Sequence, residues 1–345
     1  MTTSSMHEPL PFDETTAPSL VSTGELPKPE QVRDVVTEAY ERYRENREGV
    51  VANYIPALAS ASPALLGISV VGAQGRFFEI GDVGAAFSIQ SVSKPFVFAL
   101  VCEAIGSAAA RRQLGVNGTG FPFNSLIAVE LNAERTMNPL VNAGAIATTS
   151  LVPGGTGEEK WAAIREGLSR FAGRELTMSQ DVYDSESATN LRNQGIAHLL
   201  KSYGRLYFDP DDATDVYTRQ CSLDVTVHDL AVMAATLANG GVNPVTGERV
   251  VGPEVCRRVL AVVATAGLYE LSGDWFYGIG MPGKSGVSGG IVTVSPGKGG
   301  VATYSPPLDA AGNSVRGQLV TKYLAERLGL NLFASERVGH SPEPA

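Results

Sequence analysis

The sequence predicts an α+β (mixed) fold, with a central antiparallel sheet built from both ends of the chain and a helical lobe inserted between them. Three observations predict this fold. A two-strand hairpin pattern occupies residues 67–80, apolar spacing of helical type dominates residues 105–265, and short β-branched segments return after residue 272. Because the strand patterns flank the helical ones, we expect the beginning and the end of the chain to share one sheet.

The N-terminal part of the chain is predicted to contain a tail, a helix and the hairpin. Residues 1–27 are polar and acidic, and we expect them to be disordered. A helix is predicted to begin near Pro29, because apolar residues recur on one face. These residues are Val32, Val35, Val36, Ala39, Tyr40 and Tyr43. GISVVG and RFFEI then flank the turn-forming AQG, which is the pattern of a β-hairpin.

The middle of the chain is predicted to be mainly helical. The segment FSIQSVSKPFVFALVCEAI is predicted to form a long apolar helix, with Pro95 in the first turn, where proline is tolerated. Helical spacing also marks four later segments, at residues 142–152, 159–173, 189–204 and 226–241. In the last of these, Thr226 is a plausible N-cap and Asn239 with Gly240 a plausible stop.

The C-terminal part returns to strand patterns. Residues 272–281, 288–296 and 299–306 are short, β-branched or aromatic, and punctuated by glycine, so we predict three strands. Residues 314–330 form an amphipathic pattern, which predicts a final helix. We expect residues 333–345 to be a flexible tail.

The composition is that of a globular protein with enough apolar residues for a core, since 43% of the 345 residues are hydrophobic and 18% are charged. We expect residues 28–332 to form a single catalytic domain that includes the helical lobe. The formal net charge of −9 disfavours binding to nucleic acid or to anionic lipid, which both attract basic surfaces. A small-molecule partner is favoured, and no nucleic-acid partner is expected.

Compartment and cofactors are also limited by the sequence. No apolar run reaches the length of a membrane span, and the N-terminus lacks the basic and apolar regions of a signal peptide, so we expect no membrane association and a cytoplasmic location. Cys102, Cys221 and Cys256 are odd in number and far apart, which argues against a disulfide framework and a zinc site. The four histidines are scattered as well, and we expect no metal or other cofactor.

The first motif that suggests chemistry is Ser91-Val-Ser-Lys94 at the start of the predicted helix. A serine and a lysine one helical turn apart share a face, so the amine can accept the hydroxyl proton. The helix N-terminus also supplies N–H groups that favour developing negative charge. Taken alone the motif is weak, because Ser91 is equally well explained as a helix cap with a solvated lysine. A second match at residues 295–298 lies in a Pro/Gly turn and is interpreted as structural.

The second motif is Lys284-Ser285-Gly286, followed by a strand pattern. A Lys-Ser/Thr-Gly edge strand is the expected partner of Ser-x-x-Lys in the β-lactamase and penicillin-binding superfamily. Finding both motifs in the right order and in the right predicted elements is much stronger than finding either one. If Lys94 is the base, its pKa must be lowered by burial, by a nearby cation, or by both, and Lys284 is the candidate cation. We therefore expect a site that is largely closed to water.

A nucleotide-binding loop is the competing interpretation of the same residues. Residues 278–285 satisfy the Walker A pattern G-x-x-x-x-G-K-[ST], which binds phosphate only where a helix begins at the lysine. The following residues GVSGGIVTVSP predict a strand instead. Nucleotide binding is therefore disfavoured.

Several longer segments resemble the serine-dependent glutaminase family. The resemblance extends over roughly residues 30–330, in the order of the family and with similar gaps. It rests on ANYIPALA (52–59), FSIQSVSKP (87–95), MNPLVNAGAI (137–146), DSESATNLRN (184–193), ATLANGGVNPVTGERV (235–250) and GKSGVSGGI (283–291). The resemblance implies a β-lactamase/transpeptidase-like fold and hydrolysis of the L-glutamine side-chain amide to L-glutamate and ammonia. It also implies a homo-oligomer, either a dimer or a tetramer.

Matched position by position, the resemblance implies specific roles. Ser91 corresponds to the nucleophile and Lys94 to its base, while Tyr269 corresponds to a tyrosine beside the nucleophile that can pass a proton to the leaving ammonia. Val287 corresponds to the residue whose backbone N–H completes an oxyanion hole with that of Ser91. The substrate-binding positions correspond to Tyr54, Asn142, Glu186, Asn193 and Tyr217.

Each of these side chains also has an ordinary structural explanation. Tyrosines are common core residues, asparagines cap helices and turns, and a glutamate on a polar stretch is usually solvated. Two other functions compete with the glutaminase interpretation. One is a penicillin-recognising serine hydrolase or peptidase of the same fold, which the absence of an export signal disfavours. The other is a non-catalytic amino-acid sensor, which the intact Ser91, Lys94 and Tyr269 disfavour.

Overall fold

The computed structural model describes residues 26–53 and 55–335. The predicted N-terminal tail therefore lies almost entirely outside the described residues, as does most of the C-terminal tail. The strands are β1 (Gly67–Gly72), β2 (Phe77–Gly81), β3 (Phe87–Ser88), β4 (Asp224–Val225), β5 (Gly283–Ser285), β6 (Gly290–Ser295) and β7 (Gly299–Tyr304). Short 3-10 turns cover Leu58–Ser60, Gln90–Val92 and Tyr269–Leu271.

The α-helices alternate with these strands and dominate the middle of the chain. The helices are α1 (Pro29–Tyr43), α2 (Ser93–Ile105), α3 (Ser107–Leu114), α4 (Leu126–Leu131), α5 (Asn142–Leu151), α6 (Gly157–Ala172), α7 (Gln180–Ser187), α8 (Leu191–Ser202), α9 (Pro210–Cys221), α10 (Val227–Ala238), α11 (Pro253–Ala266), α12 (Ser272–Ile279) and α13 (Val315–Arg327). No helix in the described part of the chain is both long and apolar enough to cross a bilayer.

The central sheet joins both ends of the chain. Its order is β2-β1-β7-β6-β5, and every neighbouring pair is antiparallel. The hairpin β1–β2 comes from the beginning of the chain, and β1 pairs with β7 from its end, so that Gly67 lies opposite Tyr304. The predicted fold class, with a sheet built from both chain ends and an inserted helical lobe, is therefore confirmed.

Both faces of the sheet are buried, because successive strand residues point into different cores. On β6, Val292 and Val294 pack with the helical lobe, whereas Ile291 packs with α1, α12 and α13. The long helix α10 crosses the lobe side of the sheet closely. It can approach because Gly300 has no side chain, since a Cβ there would lie 2.5 Å from Ala234 Cβ. The sheet is thus the rigid layer on which the site is built.

The helical lobe consists of α3 to α11 and is interrupted within the described residues by the two-residue strand β4. Its helices begin as the sequence predicts. Thr226 caps α10 by accepting from the Asp229 N–H, while the Asp229 carboxylate accepts from the Thr226 N–H, which is a complete capping box. The helix ends at Ala238, before Asn239 and Gly240, as expected.

One predicted strand is wrong. Residues 272–281 were expected to be extended, but Ser272–Ile279 form α12. The aromatic and glycine content suggested a strand, yet the buried side chains are Trp275 and Ile279, which are one helical turn apart and share a face. Trp275 Nε1 also donates to the Met281 carbonyl at 2.8 Å, while Tyr277 is 94% exposed. Tertiary burial of one helical face outweighs the local strand preference here.

A second difference lies before α2. The predicted long helix from Phe87 begins only at Ser93, because Phe87 and Ser88 pair with Val225 and Asp224 as a small separate sheet. The residues between form the 3-10 turn Gln90–Val92. Ser91 therefore lies in a tight turn that leads into α2.

Candidate active site

Ser91 lies at the floor of a cavity of about 900 Å³ that opens between the sheet and the helical lobe. The residue before it, Gln90, has φ = +50°, a left-handed conformation that is uncommon for a residue with a side chain. Ser91 itself is 8% exposed, and its Oγ makes no hydrogen bond within the described chain. A strained turn therefore presents an available hydroxyl to the cavity.

Lys94 lies below Ser91 in the first turn of α2 and is 1% exposed. Its amine donates to Asn142 Oδ1 at 2.8 Å and lies 5.9 Å from the ring centre of Tyr217. Burial lowers the pKa of Lys94 to about 8, against the opposing influence of Cys221 and Glu186. A substantial fraction of this amine is therefore neutral in weakly alkaline solution, as a base requires.

Strand β5 forms the opposite wall and packs against the turn that carries Ser91. A Cβ on Gly286 would lie 3.2 Å from the carbonyl oxygen of Ile89 and 3.1 Å from the side chain of Val92. The two sequence motifs are therefore adjacent in space, as predicted. Lys284 begins no helix, since it lies within β5 and a turn to β6 follows, so the nucleotide-loop interpretation has no structural basis.

Lys284 and Tyr269 converge on one backbone carbonyl. Lys284 Nζ donates to the Ser285 carbonyl at 2.6 Å, and the Tyr269 hydroxyl donates to the same oxygen at 3.2 Å. The Lys284 amine lies 4.3 Å from the ring centre of Tyr269. Burial lowers the pKa of Lys284 well below its ordinary value, and Lys94 lowers it further. Of the two predicted causes, burial lowers the pKa of Lys94, whereas the candidate cation Lys284 is not among its causes.

Among the backbone N–H groups at the cavity that make no hydrogen bond within the described residues, two bear on the turn that carries Ser91. They belong to Ser91, in the 3-10 turn, and to Val287, in the turn after β5. Both residues line the cavity. Unpaired N–H groups beside a nucleophile are the donors needed where a carbonyl oxygen gains negative charge.

The helical lobe contributes a network of polar side chains to the other wall. Asn142, at the start of α5, donates through Nδ2 to Asn193 Oδ1 at 3.0 Å, and Asn193 lies on α8. The Tyr217 hydroxyl, on α9, donates to Asn142 Oδ1 at 3.4 Å. Asn142 Oδ1 therefore accepts from both Lys94 and Tyr217, and one amide connects the predicted base to the predicted substrate-binding residues.

Glu186 on α7 is the acidic group of this wall. Its Oε1 accepts from Gln90 Nε2, and Gln90 Nε2 also donates to Ser88 Oγ at 3.1 Å. Burial raises the pKa of Glu186 to about 7, which the Gln90 hydrogen bond and the charge of Lys94 partly offset. A carboxylate that is costly to leave unpaired is well suited to a cationic ligand group.

The structure brings together eight of the nine predicted site residues, and Tyr54 lies outside the described residues. Tyr269 reaches the site from behind β5, where Phe123 packs against its ring with centroids 4.8 Å apart. Sequence reasoning missed Gln90, although it directly precedes Ser91, because neither its left-handed φ nor its bond to Glu186 follows from the local pattern. It missed Phe123 because that aromatic lies in a Gly/Asn-rich loop with no motif.

The second Ser-x-x-Lys match lies elsewhere. Ser295 ends β6, and Lys298 donates to the Gly329 carbonyl at 2.6 Å near α13. This pair serves a turn, as the sequence suggests. The residues at the first motif instead provide a hydroxyl, a desolvated amine and one N–H donor. With the N–H of Val287, which follows the second motif, these groups are suited to acyl transfer.

Comparison with known protein sequences finds a family and relatives that match most of this chain. The family model described as Glutaminase matches residues 49–333. Glutaminase 2 of Yersinia pestis is 59% identical over 316 residues, which cover 92% of this chain and 93% of that protein.

Comparison with solved structures also finds proteins described as glutaminases. The probable glutaminase YbaS has a TM-score of 0.88 at 43% identity, with 90% of this chain and 100% of that chain covered. The covalent complex of the Bacillus subtilis glutaminase YbgJ with 5-oxo-L-norleucine, formed by reaction with 6-diazo-5-oxo-L-norleucine, has a TM-score of 0.78 at 31% identity. It covers 88% of this chain and 99% of that chain.

Proposed function

The chain belongs to the glutaminase family and is an amidohydrolase that acts on glutamine, and we propose that it works through an ester on Ser91 with Lys94 as the base. Its fold is the β-lactamase-like fold of its structural relatives. The observation that carries the proposal is that Ser91 and Val287 line one cavity with unpaired N–H groups, while the desolvated Lys94 lies buried one helical turn from Ser91 and donates to Asn142 of the same cavity.

The first step is attack by Ser91 Oγ on the side-chain amide carbon of glutamine. Lys94 takes the hydroxyl proton, which requires its neutral form and explains why burial of this amine matters. The carbonyl oxygen becomes an oxyanion, and the N–H groups of Ser91 and Val287 are placed to donate to it. Because both donors are part of the backbone, they need no reorientation as the charge develops.

The second step is loss of ammonia. The C–N bond breaks as the leaving nitrogen gains the proton that Lys94 took from Ser91. Tyr269 is the proposed carrier of this proton, because its hydroxyl lies at the Ser285 carbonyl beside the nucleophile's turn, and Lys94 is neutral again once ammonia has left. Water then attacks the ester while Lys94 takes a proton from it, and that proton passes to Ser91 Oγ as the ester bond breaks and glutamate is released. No step requires a metal or an organic cofactor.

The helical lobe is proposed to hold the amino-acid end of glutamine. Glu186 is the group for the substrate ammonium, whereas Asn142, Asn193 and Tyr217 supply amide and hydroxyl donors for the carboxylate. Tyr54 is proposed to join them. The covalent complex of YbgJ supports this arrangement, because 5-oxo-L-norleucine has the amino-acid end of glutamine and a carbonyl at the same carbon.

The direct test is ammonia release by the purified full chain with glutamine, asparagine and a chromogenic β-lactam as separate substrates. We expect release from glutamine and no colour from the β-lactam. Ser91→Ala should lose about 10⁴-fold or more in kcat and keep its fold. Ser295→Ala, in the other Ser-x-x-Lys match, is the matched control and should keep full turnover. Ammonia release by Ser91→Ala at the parental rate would refute the nucleophile assignment.

We further propose a homo-oligomer located in the cytoplasm. An exposed apolar surface on α4 supports self-association, since Ile127 and Leu131 are 61% and 67% exposed and Leu191 on α8 is 77% exposed. The three unpaired, buried cysteines fit a reducing compartment. Light scattering on the eluting protein should give a mass above that of one chain, and a monomer across the working concentration range would refute self-association.

A further inference from the structure

The left-handed turn before Ser91 needs a structural cause. A residue with a side chain is strained at φ = +50°, so the surroundings must hold Gln90 there. Its side chain donates hydrogen bonds to Glu186 and Ser88, as described above, whereas its backbone carbonyl is held by Ser93 in the first turn of α2. Ser93 Oγ donates to the Gln90 carbonyl at 2.8 Å, and the Ser93 N–H donates to the same oxygen.

Ser93 is held in turn by a side chain from the helical lobe. Gln220 Nε2, near the end of α9, donates to Ser93 Oγ at 2.9 Å. Gln220 Oε1 accepts from the Thr149 hydroxyl of α5 at 3.1 Å. Three buried polar groups thus form one hydrogen-bonded chain from α5 through α9 to the turn of the nucleophile, and each of them is at most 1% exposed.

The direction of each hydrogen bond in this chain determines whether the next group donates or accepts. Gln220 offers an N–H to Ser93 Oγ, so the hydroxyl accepts from Gln220 and its own proton is free to go to the Gln90 carbonyl. The Thr149 hydroxyl donates to Gln220 Oε1 and also to the Ala145 carbonyl at 3.1 Å, which ties the Gln220 amide to α5. None of Thr149, Gln220 and Ser93 lines the cavity, so these groups do not touch a substrate there.

We propose that Gln220 is a positioning residue for the nucleophile. It orients the Ser93 hydroxyl, which holds the Gln90 carbonyl and thereby fixes both the Oγ and the N–H of Ser91 toward the cavity. The proposal rests on the proposed role of Ser91 as the nucleophile. It assigns a function to the second serine of the Ser-Val-Ser-Lys motif, which otherwise has none.

The test is Gln220→Met, which keeps the length of the side chain and removes both the donor and the acceptor. We expect kcat for glutamine to fall roughly 10- to 100-fold, because small displacements of a reacting group are costly, with KM within about threefold of the parent. Inactivation by 6-diazo-5-oxo-L-norleucine, followed as the mass of the labelled protein, should slow by a similar factor. A residue that serves stability alone would leave both rates unchanged.

Thr214→Val is the matched control. Thr214 is also a buried polar residue of α9, and its hydroxyl donates to the Pro210 carbonyl within the same helix, remote from this chain of hydrogen bonds. We expect Thr214→Val to lose some thermal stability and to keep kcat. Equal kcat values for Gln220→Met and Thr214→Val would overturn the proposal.

Ser93→Ala provides a second route if Gln220→Met does not fold. It should reproduce the loss in kcat, and the double variant should lose no more than either single one, because both act through the Gln90 carbonyl. Additive losses would contradict the linkage. Failure of the proposed role of Ser91 is distinguishable, since Ser91→Ala would then release ammonia from glutamine at the parental rate, whereas failure of this inference leaves Ser91→Ala inactive and Gln220→Met as active as the parent.

Discussion

The two walls of the cavity are built in different ways. On the sheet side, Lys284 and Tyr269 meet at a backbone carbonyl, and Val287 offers a backbone N–H. On the lobe side, Asn142, Asn193 and Tyr217 bond to one another through side chains, and Glu186 adds a carboxylate. The sheet side thus presents mainly backbone N–H and carbonyl groups, whereas the lobe side presents amide, hydroxyl and carboxylate side chains.

This difference indicates a division of labour. In the proposed mechanism, the main-chain donors on the sheet side stabilise the charge that develops during reaction, so changes there should lower kcat. The lobe side chains are proposed to contact groups of the substrate that do not react, so changes there should raise KM. The following variants test this division, from the largest expected effect to the smallest.

Lys94→Met tests the junction of the two walls, since Lys94 bonds to Asn142 and lies beside β5. We expect kcat to fall about 10³- to 10⁴-fold, because general-base assistance is lost, with little change in KM. Lys160→Met is the matched control. Lys160 is also a buried lysine, and it donates to the Ser150 and Val152 carbonyls away from the site. The control should lose stability and keep kcat; a comparable loss of kcat in both would contradict the assignment.

Val287→Pro tests the sheet wall, because it removes one N–H and leaves the lobe unchanged. We expect kcat to fall about 10²- to 10³-fold, the usual loss for one oxyanion donor. Val287→Ala keeps the N–H and should retain most of the turnover. Steady-state kinetics gives kcat for each variant, and a thermal melt shows whether a lower kcat reflects loss of folding. If Val287→Ala is as impaired as Val287→Pro, the side chain rather than the N–H is important.

Glu186→Gln tests the lobe wall and its pH dependence. The variant should raise KM about 10²-fold with a small change in kcat, because a buried partner for the ammonium is lost. In the parent, Glu186 has a pKa of about 7, so its charge and substrate affinity fall as pH drops through 7. Lys94 has a pKa of about 8, so kcat/KM should also rise with pH toward that value.

The variant separates these two pH effects. Profiles of kcat/KM should show both rising limbs in the parent and only the limb of Lys94 in Glu186→Gln. A profile of the variant that is identical in shape to that of the parent would mean that Glu186 does not titrate in the free enzyme.

Asn193→Ala should have the smallest effect of the four. It removes the acceptor of Asn142 Nδ2, and we expect KM to rise about 10-fold with kcat within threefold. Gln194→Ala changes the next residue of α8, which does not line the cavity, and should leave both constants unchanged. A fall in kcat that exceeds the rise in KM would mean that Asn193 affects the chemical step, which would contradict the proposed division between the two walls.

The sequence predicts the two walls unequally. On the sheet wall, the shared location of Ser91, Lys94 and Lys284 follows from two short motifs, since a Ser-x-x-Lys and a Lys-Ser-Gly strand already imply it. Tyr269 and Val287 follow from the resemblance. The lobe wall follows only from the resemblance, because Asn142, Glu186 and Asn193 lie on separate helices whose packing no local pattern specifies. Their mutual hydrogen bonds depend on tertiary distances, and the same is true of Gln220 and Ser93.

The errors have a similar physical origin. The aromatic residues of segment 272–281 have a local preference for strands, and for that reason the sequence predicts a strand. Burial of Trp275 and Ile279 on one face stabilises a helix instead. The left-handed Gln90 could not be predicted, since neither neighbour is glycine and the hydrogen bonds that hold it come from α7 and the start of α2.

The pairing of β1 with β7 means that the central sheet can be completed only after the end of the chain has been synthesised. The hairpin β1–β2 leaves the ribosome early but has an unpaired edge at β1 until β7, near the end of the chain, has emerged. An unpaired edge strand is a site of aggregation, and such distant pairing is slow to form. Ser91 is therefore synthesised long before Val287, and a chain that ends before β5 lacks one of the two proposed oxyanion donors.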